Sequence, residues 1–135
     1  MVNESILIPY RRSKDSIQVF LQKRTADAPR LPDYFGLFGG STESGESPEA
    51  ALQRETQEEL SIKPQGYELL GKFEFSDRIK FVFIMEVDDG FIDRVKVNEG
   101  QYGKYLSEND ISNENKIDKD DRSVLRVFFS KLASK

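Results

Sequence analysis

Residues 36–62, GLFGGSTESGESPEAALQRETQEELSI, contain the strongest structural signals in this chain. Residues 47–49 within this stretch have the form of a helix start: a serine N-cap, a proline at the first helical position and an acid beside the positive end of the helix dipole. We predict a helix from about Pro48 to Leu60. Residues 34–38 are predicted to form a short aromatic strand that stops at Gly39-Gly40.

Three glutamates crowd one face of this predicted helix. At ~100° per residue, Glu55, Glu58 and Glu59 fall within an arc of about 100°, beside the apolar stripe, which places them at the rim of the packed face. Like charges at this spacing cost a helix roughly 0.2–0.5 kcal/mol per pair, and a bound divalent cation removes that cost. Carboxylates are ligands that Mg²⁺ or Mn²⁺ prefers. The alternative is a solvated acidic surface.

Two neighbouring features favour the metal site over the solvated surface. Gly39-Gly40 can adopt backbone angles that let a carbonyl oxygen approach an ion, although an ordinary turn is the alternative. Arg54 lies on the same helix, where it can pair with neighbouring acids or reach a phosphate group. Together these residues indicate a site for a cation and an anionic ligand.

Composition restricts the chemistry further. The chain has 135 residues, 33% of them charged and 37% hydrophobic, which predicts a single globular domain over residues 1–135. It contains no histidine and no cysteine. Any proton transfer must therefore use carboxylates, lysine, tyrosine or metal-bound water. The net charge of -4 disfavours a nucleic-acid polymer as partner.

The rest of the chain predicts an α/β sandwich around a mixed sheet. No apolar run approaches the roughly 20 residues that span a bilayer, and the basic pair Arg11-Arg12 follows the first apolar stretch instead of preceding it. We therefore expect a cytoplasmic protein that does not enter a membrane. The predicted elements are strands 6–10 and 17–24, a hairpin of strands 67–75 and 79–87, weaker strands 91–97 and 101–106, a loop at 107–118 and a last helix from about Asp120.

The residues of this stretch resemble, in type and spacing, the signature of the Nudix hydrolases. The matching positions are Gly40, Glu46, Arg54-Glu55, Glu58-Glu59 and Ile62. In that family the strand–loop–helix–loop motif builds a magnesium site that cleaves nucleoside diphosphates linked to another group. The resemblance implies a Nudix-like α/β/α sandwich around a mixed sheet. Ser61 departs from the pattern, because the family usually has glycine there, and so does Thr56, where the family has a larger aliphatic residue.

By this resemblance Glu55, Glu58, Glu59 and the Gly39 carbonyl would bind Mg²⁺, with Mn²⁺ able to substitute. The attacking water would lose its proton to a carboxylate, either Glu55 or the downstream Glu99. Glu46 would orient a metal-bound water or pair with Arg54, and Arg54 would orient the acids. The residues expected to contact the substrate are Lys23, Arg24, Tyr34, Phe35 and Tyr102.

Three functions are compatible with such a domain. The first is Mg²⁺-dependent hydrolysis of a phosphoanhydride bond in a nucleoside triphosphate, including an oxidised one, or in another nucleoside diphosphate derivative. The second is a Nudix-like domain that senses a nucleotide or sugar nucleotide without cleaving it. The third is isopentenyl diphosphate isomerase, a relative that needs a cysteine absent from this chain. The intact set of acids favours the hydrolase, with a small nucleotide as partner and a homodimer left open.

Overall fold

The computed structural model describes residues 1–133. Its strands are β1 (Val2–Arg12), β2 (Ile17–Lys23), β3 (Phe35–Gly36), β4 (Phe38–Ser41), β5 (Glu68–Glu74), β6 (Arg78–Glu86) and β7 (Tyr102–Ser107). Its helices are α1 (Pro48–Leu60), α2 (Phe91–Arg94), α3 (Glu108–Asn113) and α4 (Lys119–Ala133). None of these helices is both long enough and apolar enough to cross a membrane.

Strand β1 is the centre of a seven-stranded sheet in which β3-β2-β1-β6-β5 are neighbours. It pairs in parallel with β6, Ile8 opposite Ile84. On its other edge it pairs antiparallel with β4 near its start and with β2 near its end. A parallel pair among antiparallel ones makes the sheet mixed, which confirms the predicted fold class. β1 and β2 pair with each other only over residues 10–12 of β1. Beyond that point the two strands diverge, and β4 pairs with β1 while β3 pairs with β2.

Alternating side chains of the strands pack against a helix on each face. Leu7 and Phe20 belong to the core that includes Leu52 of α1. Their neighbours Ile8 and Leu21 belong to the core beneath α4. This alternation, predicted for β2 from the sequence, follows from the two-residue period of a strand. The two cores give the predicted α/β/α layering.

Helix α1 has the predicted bounds. The Ser47 hydroxyl oxygen accepts a hydrogen bond from the Ala50 N–H at 3.1 Å, which satisfies one of the unpaired donors of the first turn. At the other end Ser61 has φ 57° and ψ 32°, the left-handed conformation that usually selects glycine. The departure from the family pattern at Ser61 therefore leaves the helix terminator in place.

Three local predictions were wrong. Residues 91–97 contain the short helix α2 instead of a strand. Phe91 is buried against Phe20, with ring centroids 5.5 Å apart. Turn hydrogen bonds take the place of sheet pairing in this segment. The predicted loop at 107–118 contains α3, whose start is fixed by a capping box between Ser107 and Asp110. Gly39-Gly40 lies inside β4, paired with β1, instead of ending a strand.

Candidate active site

The two glycines of β4 let the carboxylates of α1 approach the sheet. A Cβ atom at Gly39, where φ is 142°, would lie 2.2 Å from the Ser5 carbonyl oxygen. A Cβ atom at Gly40 would lie 2.6 Å from the carboxyl carbon of Glu55. The Gly39 N–H donates a hydrogen bond of 2.6 Å to Glu59 Oε1. Glycine is required here by space as well as by backbone angle.

The three glutamates of α1 differ in burial. Glu59 is 3% exposed. The side chain of Glu55 is 15% exposed and that of Glu58 is 55% exposed. The prediction that all three lie at the rim of the packed face is therefore wrong for Glu59, which is among the buried residues of α1, because the helix face that carries it rests on the glycines of β4.

Arg54 connects the loop before α1 to the acids. Its Nε and Nη2 atoms donate to the two carboxylate oxygens of Glu46 at 2.8 and 2.9 Å, a bidentate pair. Its Nη1 donates to Glu55 Oε1 at 2.8 Å, and its Nη2 also donates to the Ser41 carbonyl at 3.0 Å. Glu58 Oε1 lies 3.5 Å from the same guanidinium. Of the two alternatives for Glu46, the structure shows the pairing with Arg54.

The charges in this cluster shift its pKa values. The hydrogen bonds from Arg54 lower the pKa of Glu46 to about 2. Burial, together with the nearby charges of Glu99 and Glu55, raises the pKa of Glu59 to about 9. Burial also raises the pKa of Glu55. Since Glu99 lies within hydrogen-bonding reach of Glu59, the loop after α2 contributes to the same cluster.

The oxygen atoms gathered here fit a hard divalent cation. They are carboxylate oxygens of Glu55, Glu59 and Glu99, next to the backbone of Gly39, and such donors suit Mg²⁺. A buried carboxyl that retains a proton at neutral pH is also a position where a cation can replace that proton. Among residues 1–133, no three acidic side chains are spaced as a finished metal site. Arg54 engages one oxygen of Glu55, and the Gly39 N–H engages one oxygen of Glu59.

A polar cavity of about 130 Å³ opens beside the cluster. Three predicted substrate contacts, Arg24, Tyr34 and Phe35, line it together with Gly39. Tyr102 is 44% exposed on β7 and does not line this cavity.

Lys23 lies at the edge of this region and is already engaged. Its Nζ atom donates to the Asp33 carbonyl at 2.6 Å. The same atom lies 4.6 Å from the centroid of the Phe35 ring. An ammonium group has three N–H donors, so Lys23 keeps hydrogen-bonding capacity for a ligand.

The same cavity has a charged wall that the sequence analysis missed. Lys80 of β6 donates to Asp121 of α4 at 3.0 Å, and both residues are buried. Glu4 lies 4.0 Å from Lys80 and accepts from Arg78 at 3.0 Å. A signal was present, because Lys80 shares its strand face with the apolar Val82 and Ile84. A charge on a buried face indicates a paired group.

Comparison with known proteins identifies the family of the chain. A model of the NUDIX domain matches residues 3–128. An 8-oxo-dGTP diphosphatase of Escherichia coli (strain K12) is 43% identical over 94 residues, covering 67% of this chain and 70% of that protein. An 8-oxo-dGTP diphosphatase of Haemophilus influenzae (strain ATCC 51907 / DSM 11121 / KW20 / Rd) is 34% identical over 71 residues, 52% of each chain. This chain thus spans about half the length of the second relative.

Solved structures share the fold. A MutT structure from work on Aliivibrio salmonicida and Vibrio cholerae superposes with a TM-score of 0.73 at 26% identity, covering 96% of this chain and 98% of that one. A MutT/nudix family protein from Enterococcus faecalis has a TM-score of 0.79 at 15% identity, covering 99% of this chain and 62% of that one.

The fold, the acidic cluster and these relatives together define a nucleotide pyrophosphohydrolase. The chain belongs to the NUDIX domain family, which confirms the resemblance seen in residues 40–62.

Proposed function

We propose that this protein hydrolyses a phosphoanhydride bond of an oxidised purine nucleoside triphosphate of the 8-oxo-dGTP type, with Mg²⁺ as cofactor. The observation that carries the proposal is the position of Gly39. Its N–H is hydrogen-bonded to Glu59 of the acidic cluster, and the same residue lines the polar cavity. A ligand in the cavity would therefore have its phosphates beside the carboxylates. The two 8-oxo-dGTP diphosphatase relatives supply the substrate class.

The acids of α1 would hold the cation. Glu55, Glu58, Glu59 and the Gly39 carbonyl are the proposed ligands. When bound, Mg²⁺ would neutralise phosphate charge and lower the pKa of a water ligand. Arg54 fixes the orientation of Glu55 through a hydrogen bond of 2.8 Å and is itself fixed by Glu46. This support matters because small errors in the position of a catalytic group lower the rate.

The reaction is attack of water on phosphorus. A carboxylate, Glu55 or Glu99, accepts the proton of that water, and the leaving phosphate group takes the electrons of the broken phosphoanhydride bond. Both candidates lie next to Glu59, and burial raises the pKa of Glu55 above its usual value. Lys23, the last residue of β2, and Arg24, which follows it and lines the cavity, are the proposed phosphate contacts.

The cavity would take the nucleoside. Tyr34 and Phe35 supply an aromatic wall, and Asp121 and Lys80 supply one hydrogen-bond acceptor and one donor. A guanine-type base presents both N–H and carbonyl groups along one edge, which such a pair complements. The cavity and the acids together match a nucleotide whose base and phosphates are bound at separate places.

The test is a comparison of substrates at saturating Mg²⁺. Hydrolysis of 8-oxo-dGTP is expected to exceed that of dGTP, ADP-ribose and a dinucleotide polyphosphate in kcat/KM, and EDTA should abolish it. Tyr34→Ala should raise KM for 8-oxo-dGTP about tenfold with little change in kcat, because it removes ground-state binding. Tyr102→Ala is the matched control outside the cavity. Equal rates for all substrates, or full activity in EDTA, would contradict the proposal.

A further inference from the structure

The segment after α2 is fastened to the carboxyl end of α1. The N–H of Lys96 donates to the Leu60 carbonyl at 3.1 Å, and the N–H of Asn98 donates to the Glu59 carbonyl at 2.9 Å. The side chain of Asn98 adds two bonds, from Nδ2 to the Glu58 carbonyl at 2.9 Å and to the Ser61 hydroxyl at 2.8 Å. Three of the last carbonyls of α1, which have no partner within the helix, are satisfied in this way.

The residue that follows Asn98 is Glu99, and the chain beyond it is fixed as well. The Gln101 N–H donates to the Lys23 carbonyl at 2.8 Å. A Cβ atom at Gly100 would lie 2.5 Å from that same carbonyl oxygen, and Gly100 has φ 79°. The Glu99 carbonyl accepts a hydrogen bond from Gln22 Nε2 at 3.3 Å. Glu99 is therefore held between α1 on one side and β2 on the other.

We propose that Asn98 and Ser61 form a clamp that positions the Glu99 carboxylate against Glu55 and Glu59 for the hydrolytic reaction. Asn98 is a positioning residue in this proposal, because it acts through Glu99 and does not touch the substrate. The inference deepens the proposed function and rests on it. The clamp itself is defined by contacts of this chain alone.

The chemistry of residue 98 is specific. Both hydrogens of the Asn98 amide have an acceptor, one on the helix carbonyl and one on the Ser61 hydroxyl. An ionised aspartate at position 98 would offer no hydrogen-bond donor and would face a carbonyl oxygen. A glutamine keeps the amide donors but places them one methylene further from the backbone. Ser61, which stands where the family usually has glycine, supplies the second acceptor. Ser61 therefore supplies a hydrogen-bond acceptor that a glycine side chain could not supply.

The kinetic test is a double-mutant cycle. Asn98→Ala is expected to lower kcat for 8-oxo-dGTP about 10- to 100-fold with KM changed less than about twofold, because the base or ligand is displaced and substrate binding is kept. In the Glu99→Gln background the same substitution should change kcat less than about threefold. Ser61→Ala, which removes one of the two acceptors, should give a smaller loss. Additive effects of Asn98→Ala and Glu99→Gln would overturn the proposal.

A matched control separates the clamp from a general loss of structure. Asn113 on α3 also donates from Nδ2 to one backbone carbonyl, that of Asn109 at 3.0 Å, and it is exposed. Asn113→Ala should leave kcat and KM as in the parent protein. A loss of kcat in this control equal to that of Asn98→Ala would also overturn the proposal.

A second readout works on the metal-free protein and needs no activity. The amides of residues 96 and 98 should be protected from hydrogen exchange in the parent protein, and Asn98→Ala should speed their exchange at least about tenfold. Amides of β1 and β6 should be unaffected. Unchanged protection at 96 and 98 would overturn the clamp, even if no hydrolysis were found. If the parent protein hydrolyses no nucleotide but these amides respond, the proposed function fails and the clamp survives only as a structural contact.

Discussion

At Gly40 a hydrogen atom stands where any other residue would place a Cβ atom against the carboxylate of Glu55. The Cβ of an alanine would lie within 2.6 to 2.7 Å of the three carboxyl atoms of Glu55. The backbone of Gly40 is not in the left-handed region, so the collision is the main effect of the substitution. The side chain of Glu55 would have to leave its position next to Arg54.

Gly40→Ala is therefore expected to lower kcat at least about tenfold, with a small change in melting temperature. The measurement is steady-state kinetics together with thermal unfolding. Gly71→Ala is the control, because its Cβ would meet Phe73 at 3.5 Å, an ordinary contact. Full activity of Gly40→Ala would show that the position of Glu55 is unimportant.

Glu59 makes the metal-free protein sensitive to pH. Its pKa rises from 4.5 to about 9 on folding, mainly because it is buried. The folded state therefore binds this proton more tightly than the unfolded state, and stability falls as pH rises from about 4.5 to about 9. Glu59→Gln should melt at a higher temperature than the parent protein at pH 9 in EDTA, and the difference should shrink toward pH 5. A difference that does not depend on pH would show that Glu59 is ionised throughout.

At the scale of single elements, α1 carries its start and stop signals in its own sequence. Ser47→Ala should lower the free energy of unfolding by about 1 kcal/mol, since it removes the acceptor of the Ala50 N–H. Denaturant unfolding measures this loss. Ser123→Ala within α4, where the hydroxyl only bonds the Lys119 carbonyl at 3.1 Å, should change stability by less than half as much. Equal losses in the two variants would contradict the capping role.

These local signals explain which elements the sequence could predict. The predicted bounds of helix α1 agree with the observed ones, because its cap, its proline and its apolar spacing lie within residues 47–61. Helix α2 was missed because the burial of Phe91 against Phe20 of β2 outweighs the alternation of apolar and polar residues around it. Helix α3 was missed because its polar residues resemble a loop, although the capping box was readable from Ser107 and Asp110.

The residues of the candidate site also fall into those that local sequence could predict and those that it could not. The acids of α1 could be predicted, because their spacing on one helix is a local property. Glu99 was named as a candidate base only from the family resemblance, and its proximity to Glu59 was not predicted, since residues 40 positions apart have no local relation. The pair of Lys80 and Asp121 joins a strand to the last helix, and no sequence period relates the two. Contacts between distant elements depend on tertiary packing.

At the scale of the whole molecule, the site lies where several elements meet. Strand β4 enters between β1 and β2, α1 covers it, and the loop after α2 closes the carboxyl end of α1. A cation that binds this meeting point in the folded state alone must stabilise the fold. Binding of a metal ion at this point would therefore be coupled to global stability.

Adding Mg²⁺ should raise the melting temperature. When the Mg²⁺ concentration is one hundred times Kd, the free energy of unfolding should increase by about 2.7 kcal/mol. Differential scanning calorimetry at neutral pH measures the shift. Glu58→Gln should reduce the shift, whereas Glu49→Gln, at the opposite end of α1 and hydrogen-bonded to Tyr67 at 2.9 Å, should keep it. No shift at millimolar Mg²⁺ would favour an acidic surface without a metal.

We propose above that the acids beside the glycine pair act on a nucleotide phosphoanhydride bond. The most direct test is the rate of 8-oxo-dGTP hydrolysis by Glu55→Gln at saturating Mg²⁺, with Glu49→Gln as its control on the same helix. We predict a fall in kcat of at least about 100-fold for Glu55→Gln and a rate near that of the parent protein for the control. A Glu55→Gln protein that is folded and hydrolyses 8-oxo-dGTP at the parent rate would refute a catalytic role for these acids.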